Sequence, residues 1–134
     1  MEKERLERYK MKIKLIGIRL TQSEEWLSDE GDKSRLACYK AFQEGIEAIT
    51  DLIAMILADS DDVVNDDYTN IDKISSRLRL TGEEIKVLEE ANGLRNRITH
   101  KYNKTDDGLA KESIIKLVPI LIKITEKIKN EIKD

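Results

Sequence analysis

Apolar side chains recur along the chain at alternating steps of three and four residues, the period that places them on one face of an α-helix. The first such series runs through Leu6, Tyr9, Ile13, Ile16 and Leu20. The pattern predicts a first helix from about Leu6 to residues 28–31, where Ser, Asp, Glu and Gly cluster and end it.

A second series predicts a helix of about six turns that begins near Asp32 or Ser34. Its apolar face comprises Tyr39, Phe42, Ile46, Ile49, Ile53 and Ile56. Ala41, Gly45 and Ala48 lie beside this face, and such small side chains let another helix approach closely. The length is typical of helical bundles.

Residues 59–67 contain five aspartates, which interrupt the apolar pattern. We interpret this segment as a solvated acidic loop, with a metal site or a partner-binding patch as the alternative. An EF-hand is excluded, because its loop needs a glycine at the sixth position and a glutamate at the twelfth.

Three further elements follow the acidic segment. A short helix is expected from Asn70 to about Leu80. Thr81-Gly82-Glu83-Glu84 then matches a capping box, in which Thr81 and Glu84 each satisfy a backbone N–H of the other. The helix that it opens carries Ile85, Leu88 and Ala91 inward and continues into residues 95–102.

A turn is expected at Asn103–Gly108, followed by a last helix from about Leu109 to Ile132. Its apolar face comprises Ile114, Val118, Leu121, Thr125, Ile128 and Ile132. Pro119 lies inside this pattern and predicts a local kink or a shifted helix start.

The elements together predict an all-α fold, an antiparallel four-helix bundle with an additional short helix, in a single helical domain over residues 1–134. Composition agrees, since the chain has 40% hydrophobic and 38% charged residues, only 4% aromatic residues and one proline. High charge with regular apolar spacing favours long solvated helices over strands or disorder.

The rare residue types exclude several classes of protein. The single cysteine cannot form an internal disulfide, and one histidine with one cysteine is too few for a structural zinc site. The chain begins Met1-Glu2-Lys3-Glu4-Arg5 and contains no apolar run of about 18 residues, so we expect a cytoplasmic protein without a membrane span. A net charge of −3 argues against coating of nucleic acid by bulk attraction.

Residues 95–104 are a basic island in this acidic chain. They include Arg95, Arg97, Lys101 and Lys104, no acidic residue, and the only histidine, His100. Such a segment can attract a phosphate group.

Helical geometry places a polar set of this segment within an arc of roughly 160°, provided that the helix persists to Tyr102. This set comprises Arg95, Asn96, Thr99, His100 and Tyr102. Leu94 and Ile98 project to the other side, where they can anchor the helix to the core.

The polar set contains the groups needed for RNA cleavage without a metal ion or a cofactor. His100 can transfer a proton near neutral pH, to or from a ribose 2′-OH or a leaving oxygen. Arg95 can stabilise charge on the phosphorus oxygens, and Asn96 can orient the phosphate or the imidazole. A 2′-OH nucleophile would make RNA the substrate. The competing interpretation is a structural or merely exposed histidine among solubilising basic residues.

At these residues the sequence resembles a known family. Arg95-Asn96-x-x-x-His100-x-Tyr102 is similar to the Rx4HxY motif of HepT-like toxins, which belong to the HEPN superfamily of helical ribonucleases. Residues 35–48 resemble the family's second helix, with its Arg-x-x-Ala and Gln-x-x-Ile-Glu-Ala pattern. The segment from Ile71 through Leu94 also fits the family's layout before the motif.

The resemblance implies a ribonuclease toxin that acts as a homodimer, with the two motifs meeting at a cleft between subunits. It assigns catalysis to Arg95 and His100 with support from Asn96. It also implies an antitoxin, a minimal nucleotidyltransferase of the MntA type, that transfers AMP to Tyr102. We assign Arg97, Lys101 and Lys104 to contacts with the RNA backbone.

Two alternatives belong to other classes. The chain could be a non-catalytic helical partner of a minimal nucleotidyltransferase, accepting AMP without cleaving RNA. A di-iron carboxylate bundle would need Glu-x-x-His pairs on two helices, and a single histidine excludes it.

Overall fold

The computed structural model describes residues 2–100 and 107–132, and within those residues it consists of five helices and no strands. The helices are α1 (Lys3–Trp26), α2 (Asp32–Asp59), α3 (Asp67–Leu78), α4 (Gly82–Thr99) and α5 (Asp107–Glu131). Four helices are long and one, α3, is short. The all-α bundle with an additional short helix is therefore confirmed.

The predicted apolar faces form the core. All six positions of the α2 face are at most 8% exposed. Of the six positions in the last apolar series, the five on α5 are buried, and Ile132, directly after α5, is partly buried. Helices α1 and α2 pack closely, because a Cβ on Gly45 would lie 2.9 Å from Cδ2 of Leu20. The small residues beside the α2 face thus allow the close approach that their pattern predicted.

The capping box at the start of α4 is present as predicted. The Thr81 backbone N–H donates to Oε1 of Glu84 at 2.9 Å, and the Glu84 N–H donates to Oγ1 of Thr81 at 3.1 Å. Nζ of Lys127 on α5 donates to the same Glu84 oxygen at 2.6 Å. Burial alone would raise the pKa of Glu84, but the bonds from Lys127 and Thr81 outweigh it and hold this pKa below its ordinary value.

Two helices begin earlier than their apolar patterns indicate. Helix α3 begins at Asp67, because the side chain of Asp66 accepts the Thr69 N–H at 3.0 Å and caps the helix. Helix α5 begins at Asp107, so the expected turn through Gly108 is too long. It then continues through Pro119, so the alternative of a later helix start is wrong.

The acidic segment is more than a solvated connection. Asp59 accepts a hydrogen bond from the Tyr9 hydroxyl of α1 and lies 3.6 Å from Nε of Arg5. Asp66 caps α3, and Asp67 pairs with Arg95 of α4. Exposed Asp61 and Asp62 lie between them. The aspartates at the ends of the segment therefore fix the helices on either side.

No helix in the described part of the chain is both long and apolar enough to cross a membrane.

Candidate active site

The candidate site lies at the carboxyl end of α4. The helix ends at Thr99, and His100 is its C-cap residue, with φ −81° and ψ −1°. The His100 N–H still donates to the carbonyl of Asn96 at 3.0 Å. His100 therefore lies one helical turn beyond Asn96, as the spacing in the sequence predicts.

The opposite side of this helix end is anchored in the core. Leu94 is 2% exposed, and Ile98 is partly buried against the same apolar cluster. Both residues lie on the side that the periodicity predicted. Because the backbone is held there, the polar residues between them have defined positions at the surface of the bundle.

Arg95 is held by acceptors from two helices. Its Nη2 donates to Oδ2 of Asp67 on α3 at 2.9 Å and to Oδ1 of Asn92, one turn earlier on α4, at 2.6 Å. Nη1 lies 3.9 Å from Oε1 of Glu47 on α2. The side chain is only 15% exposed, so Arg95 lies closer to the core than an open polar face would place it.

The immediate surroundings of Arg95 are acidic. Two carboxylates, Asp67 and Glu47, lie within 4 Å of one guanidinium, and both are more than one-third exposed. Nε of Arg95 is buried and has no hydrogen-bond partner among the described residues. A buried donor of this kind carries a desolvation cost, which a change in the guanidinium's surroundings could relieve.

His100 is more accessible than Arg95. His100 and Thr99 are exposed at the end of α4, and Asn96 is partly buried. Tyr102, Lys101 and Lys104 lie outside the described residues. The structure thus brings Asn96 and His100 together and places Arg95 one residue before Asn96, turned toward α2 and α3.

Arg97 lies on a different side of α4. It lines a shallow groove against α5, together with Glu89, Glu90 and Ser113. Its side chain turns back along α4, because a Cβ on Gly93 would lie 3.6 Å from Nη1 of Arg97. Arg97 and Arg95 therefore contact different neighbours.

Sequence reasoning missed the partners of Arg95. In the sequence, Asp67 is one of the five aspartates of the acidic segment, and Asn92 belongs to no recognised motif. The spacing of Asn92 and Arg95, three apart on one helix, was the available indication, because such residues are neighbours on a helix surface.

A second group missed from the sequence lies where α5 begins, shortly after the motif. Tyr39 of α2 donates a hydrogen bond to Asp107, and Nη1 of Arg35 lies 3.5 Å from the same carboxylate. The guanidinium of Arg35 also lies 6.0 Å from the centre of the Tyr39 ring. Burial of Tyr39, followed by its bond to Asp107, raises the pKa of its hydroxyl well above the ordinary value. Helix α2 therefore contacts Arg95, the first residue of the motif, and Asp107, shortly after it.

Among residues 2–100 and 107–132, no three His, Cys, Asp or Glu side chains are arranged to hold a metal ion.

The family model described as "Ribonuclease HepT-like" matches residues 6–128. The chain belongs to the HepT-like ribonuclease family, and the resemblance seen in its motif is confirmed.

Curated relatives agree with this assignment. Two proteins of Archaeoglobus fulgidus, each named "Putative RNase", are 29% identical to the chain, over 113 and 126 residues. These matches cover 84% and 94% of the chain and 85% and 94% of the relatives. A Methanocaldococcus jannaschii protein, also named as a putative RNase, is 39% identical over 66 residues, which are 49% of the chain and 76% of that protein.

Proposed function

We propose that this protein is a metal-independent endoribonuclease that cleaves RNA through attack by the ribose 2′-OH. The observation that carries the proposal is the family match across residues 6–128, which includes the intact Arg95, Asn96 and His100 at the end of α4. The names of the curated relatives also refer to RNase activity.

The proposed reaction is an internal transesterification. The 2′-oxygen attacks the adjacent phosphorus and the 5′-oxygen leaves, which yields a 2′,3′-cyclic phosphate and a 5′-hydroxyl end. His100 removes or supplies a proton as a general base or general acid. Arg95 donates to the phosphorus oxygens as their charge grows, and Asn96 orients the phosphate or the imidazole.

The reaction requires one group to accept a proton and another to donate one. Each chain has a single histidine. A homodimer with the two α4 ends facing each other would supply two imidazoles to one cleft. We therefore propose that the catalytic unit is a dimer, with Arg97, Lys101 and Lys104 contacting the RNA backbone beside the cleft.

We further propose that the protein is the toxin of a toxin–antitoxin pair. Its antitoxin would be a minimal nucleotidyltransferase that transfers AMP from ATP to the hydroxyl of Tyr102, releasing pyrophosphate. AMP adds bulk and negative charge two residues from His100, where an RNA phosphate would otherwise bind. The reaction would therefore switch the ribonuclease off.

One observation favours a second candidate function. Arg95 is mostly buried, and its Nη2 is already paired with Asp67 and Asn92, so only its Nη1 could meet a phosphate. A non-catalytic partner of a nucleotidyltransferase, accepting AMP on Tyr102, would not need an available Arg95.

One experiment distinguishes the two candidate functions. The purified protein is incubated with tRNA and other structured RNA in EDTA, beside His100→Ala and Arg95→Ala. Cleavage by the wild type that both variants lose supports the ribonuclease, and absence of cleavage of any RNA supports the partner. Mass spectrometry after incubation with the nucleotidyltransferase and ATP tests Tyr102, and AMP found only at another residue contradicts that assignment.

A further inference from the structure

The surroundings of Arg95 bear on how the proposed ribonuclease works. Both hydrogens of its Nη2 are engaged, one by Asp67 and one by Asn92, at 2.9 and 2.6 Å. The two acceptors come from different helices. A planar guanidinium held at one nitrogen by two separate acceptors can turn neither about its Nε–Cζ bond nor about its Cζ–Nη2 bond without breaking these hydrogen bonds.

Both acceptors are themselves fixed. Asn92 is 1% exposed, so its amide is held by the core around it. Asp67 is the first residue of α3, directly after the Asp66 cap, whose carboxylate accepts both the N–H and the hydroxyl of Thr69. The Asp67 carboxylate therefore has a defined position relative to α4.

The remaining terminal nitrogen has a different environment. Nη1 lies 3.9 Å from Oε1 of Glu47, beyond hydrogen-bond distance. That glutamate oxygen already accepts a hydrogen bond from Nε2 of Gln43 at 3.1 Å. Glu47 thus adds negative charge near Arg95 without occupying Nη1 in the way that Asp67 and Asn92 occupy Nη2.

We infer that Asp67, together with Asn92, is a positioning residue for Arg95, fixing the guanidinium so that Nη1 meets the RNA phosphate in the transition state. The inference rests on the proposed ribonuclease function and deepens it. Donors held in place before the reaction stabilise developing charge without reorganisation, and the residues that hold them contribute through that orientation. Asp67 does not itself touch the RNA.

Asp67→Asn tests the inference, because it keeps the size and one acceptor oxygen but removes the charge. Its matched control is Asp72→Asn, the same change at an exposed position of the same helix. We expect Asp67→Asn to lower kcat about 10-fold with KM within about twofold, as is typical when a supporting residue is lost. Asp72→Asn should match the wild type, and Asp67→Glu should recover part of the lost rate.

A readout independent of activity accompanies the kinetics. In ¹⁵N NMR spectra of arginine side chains, slow rotation of Nη2 separates the signals of its two hydrogens. We expect separate signals for Arg95 in the wild type, assigned by their loss in Arg95→Lys, and merged signals in Asp67→Asn.

Two results would overturn the inference. If Asp67→Asn cleaves RNA at or above the wild-type rate, the Asp67 carboxylate does not assist catalysis by Arg95. If the Nη2 group of Arg95 rotates at the same rate in the wild type and in Asp67→Asn, Asp67 does not position Arg95. This conclusion holds even if the wild type cleaves no RNA. Failure of the wild type to cleave contradicts the proposed function alone, since the NMR comparison does not depend on it.

Discussion

Replacing Arg95 with lysine keeps a positive charge in the site and removes the planar fork of donors. In the structure, Nη2 makes two hydrogen bonds, to Asp67 and Asn92. Hydrogen bonds that involve a charged group contribute about 1.5–3 kcal/mol each. Lysine can restore one of them, and Asp67 is 38% exposed, so we expect a loss of about 1–2 kcal/mol in the free energy of unfolding.

The expected effect on catalysis is larger. Losing a donor to charge that develops in a transition state typically costs about 100-fold or more in kcat, which is about 2.7 kcal/mol. A domain stable by about 5–15 kcal/mol stays folded after a loss of about 1–2 kcal/mol. Loss of cleavage by Arg95→Lys would therefore report catalysis and not unfolding.

The assay is single-turnover cleavage of a labelled RNA with the protein in excess, alongside urea denaturation of each variant. Arg77→Lys is the matched control, because Arg77 is an exposed arginine of α3 to which no contact with RNA is assigned. It should change the rate by less than about threefold, since lysine keeps the positive charge. Cleavage by folded Arg95→Lys at the wild-type rate would refute a guanidinium-specific role for Arg95.

Three further predictions concern the framework that holds the site. Leu94→Ala should lower the free energy of unfolding by about 2–4 kcal/mol, measured in urea, because Leu94 is 2% exposed and a cavity remains; a loss below about 1 kcal/mol would contradict this packing. Folding lowers the pKa of Glu84, so its pair with Lys127 should stabilise the folded protein at pH values above the pKa of Glu84 in the unfolded chain. This stabilisation should be lost as the pH falls through the pKa of Glu84 in the folded protein. Urea midpoints between about pH 6 and about pH 3 should therefore fall less in Glu84→Gln than in the wild type, and equal falls would argue against the pair. Tyr39→Phe should cost about 1 kcal/mol in urea by removing the bond to Asp107, and an unchanged midpoint would show that the bond contributes nothing.

The helices could be predicted because burial follows the helical period. The apolar positions of α2 and α5 were correctly placed, as was the Thr81–Glu84 capping box. Helix starts were predicted less well, since a start depends on one capping side chain. Asp66 caps α3 about one turn before the apolar pattern of this helix begins. Because Asp66 is one of several aspartates in the acidic segment, its capping role does not stand out in the sequence.

In the candidate site, too, local features could be predicted from the sequence and long-range contacts could not. Local spacing predicted that Asn96 and His100 lie one turn apart and that Leu94 anchors the helix. The pairing of Arg95 with Asp67 joins residues 28 positions apart, and no local pattern contains such a contact. Local periodicity therefore predicted which candidate residues lie together at the end of α4, while the tertiary fold determines how exposed Arg95 is.

Cleavage of an oligonucleotide with one ribonucleotide in an otherwise DNA strand tests the central claim most directly. The account predicts a single cut, after the ribonucleotide, in the presence of EDTA. The upstream product should carry a 2′,3′-cyclic phosphate, and His100→Ala should lose the activity while remaining folded. No cleavage, cutting of an all-DNA strand, or equal cleavage by His100→Ala would contradict a 2′-OH mechanism at this site.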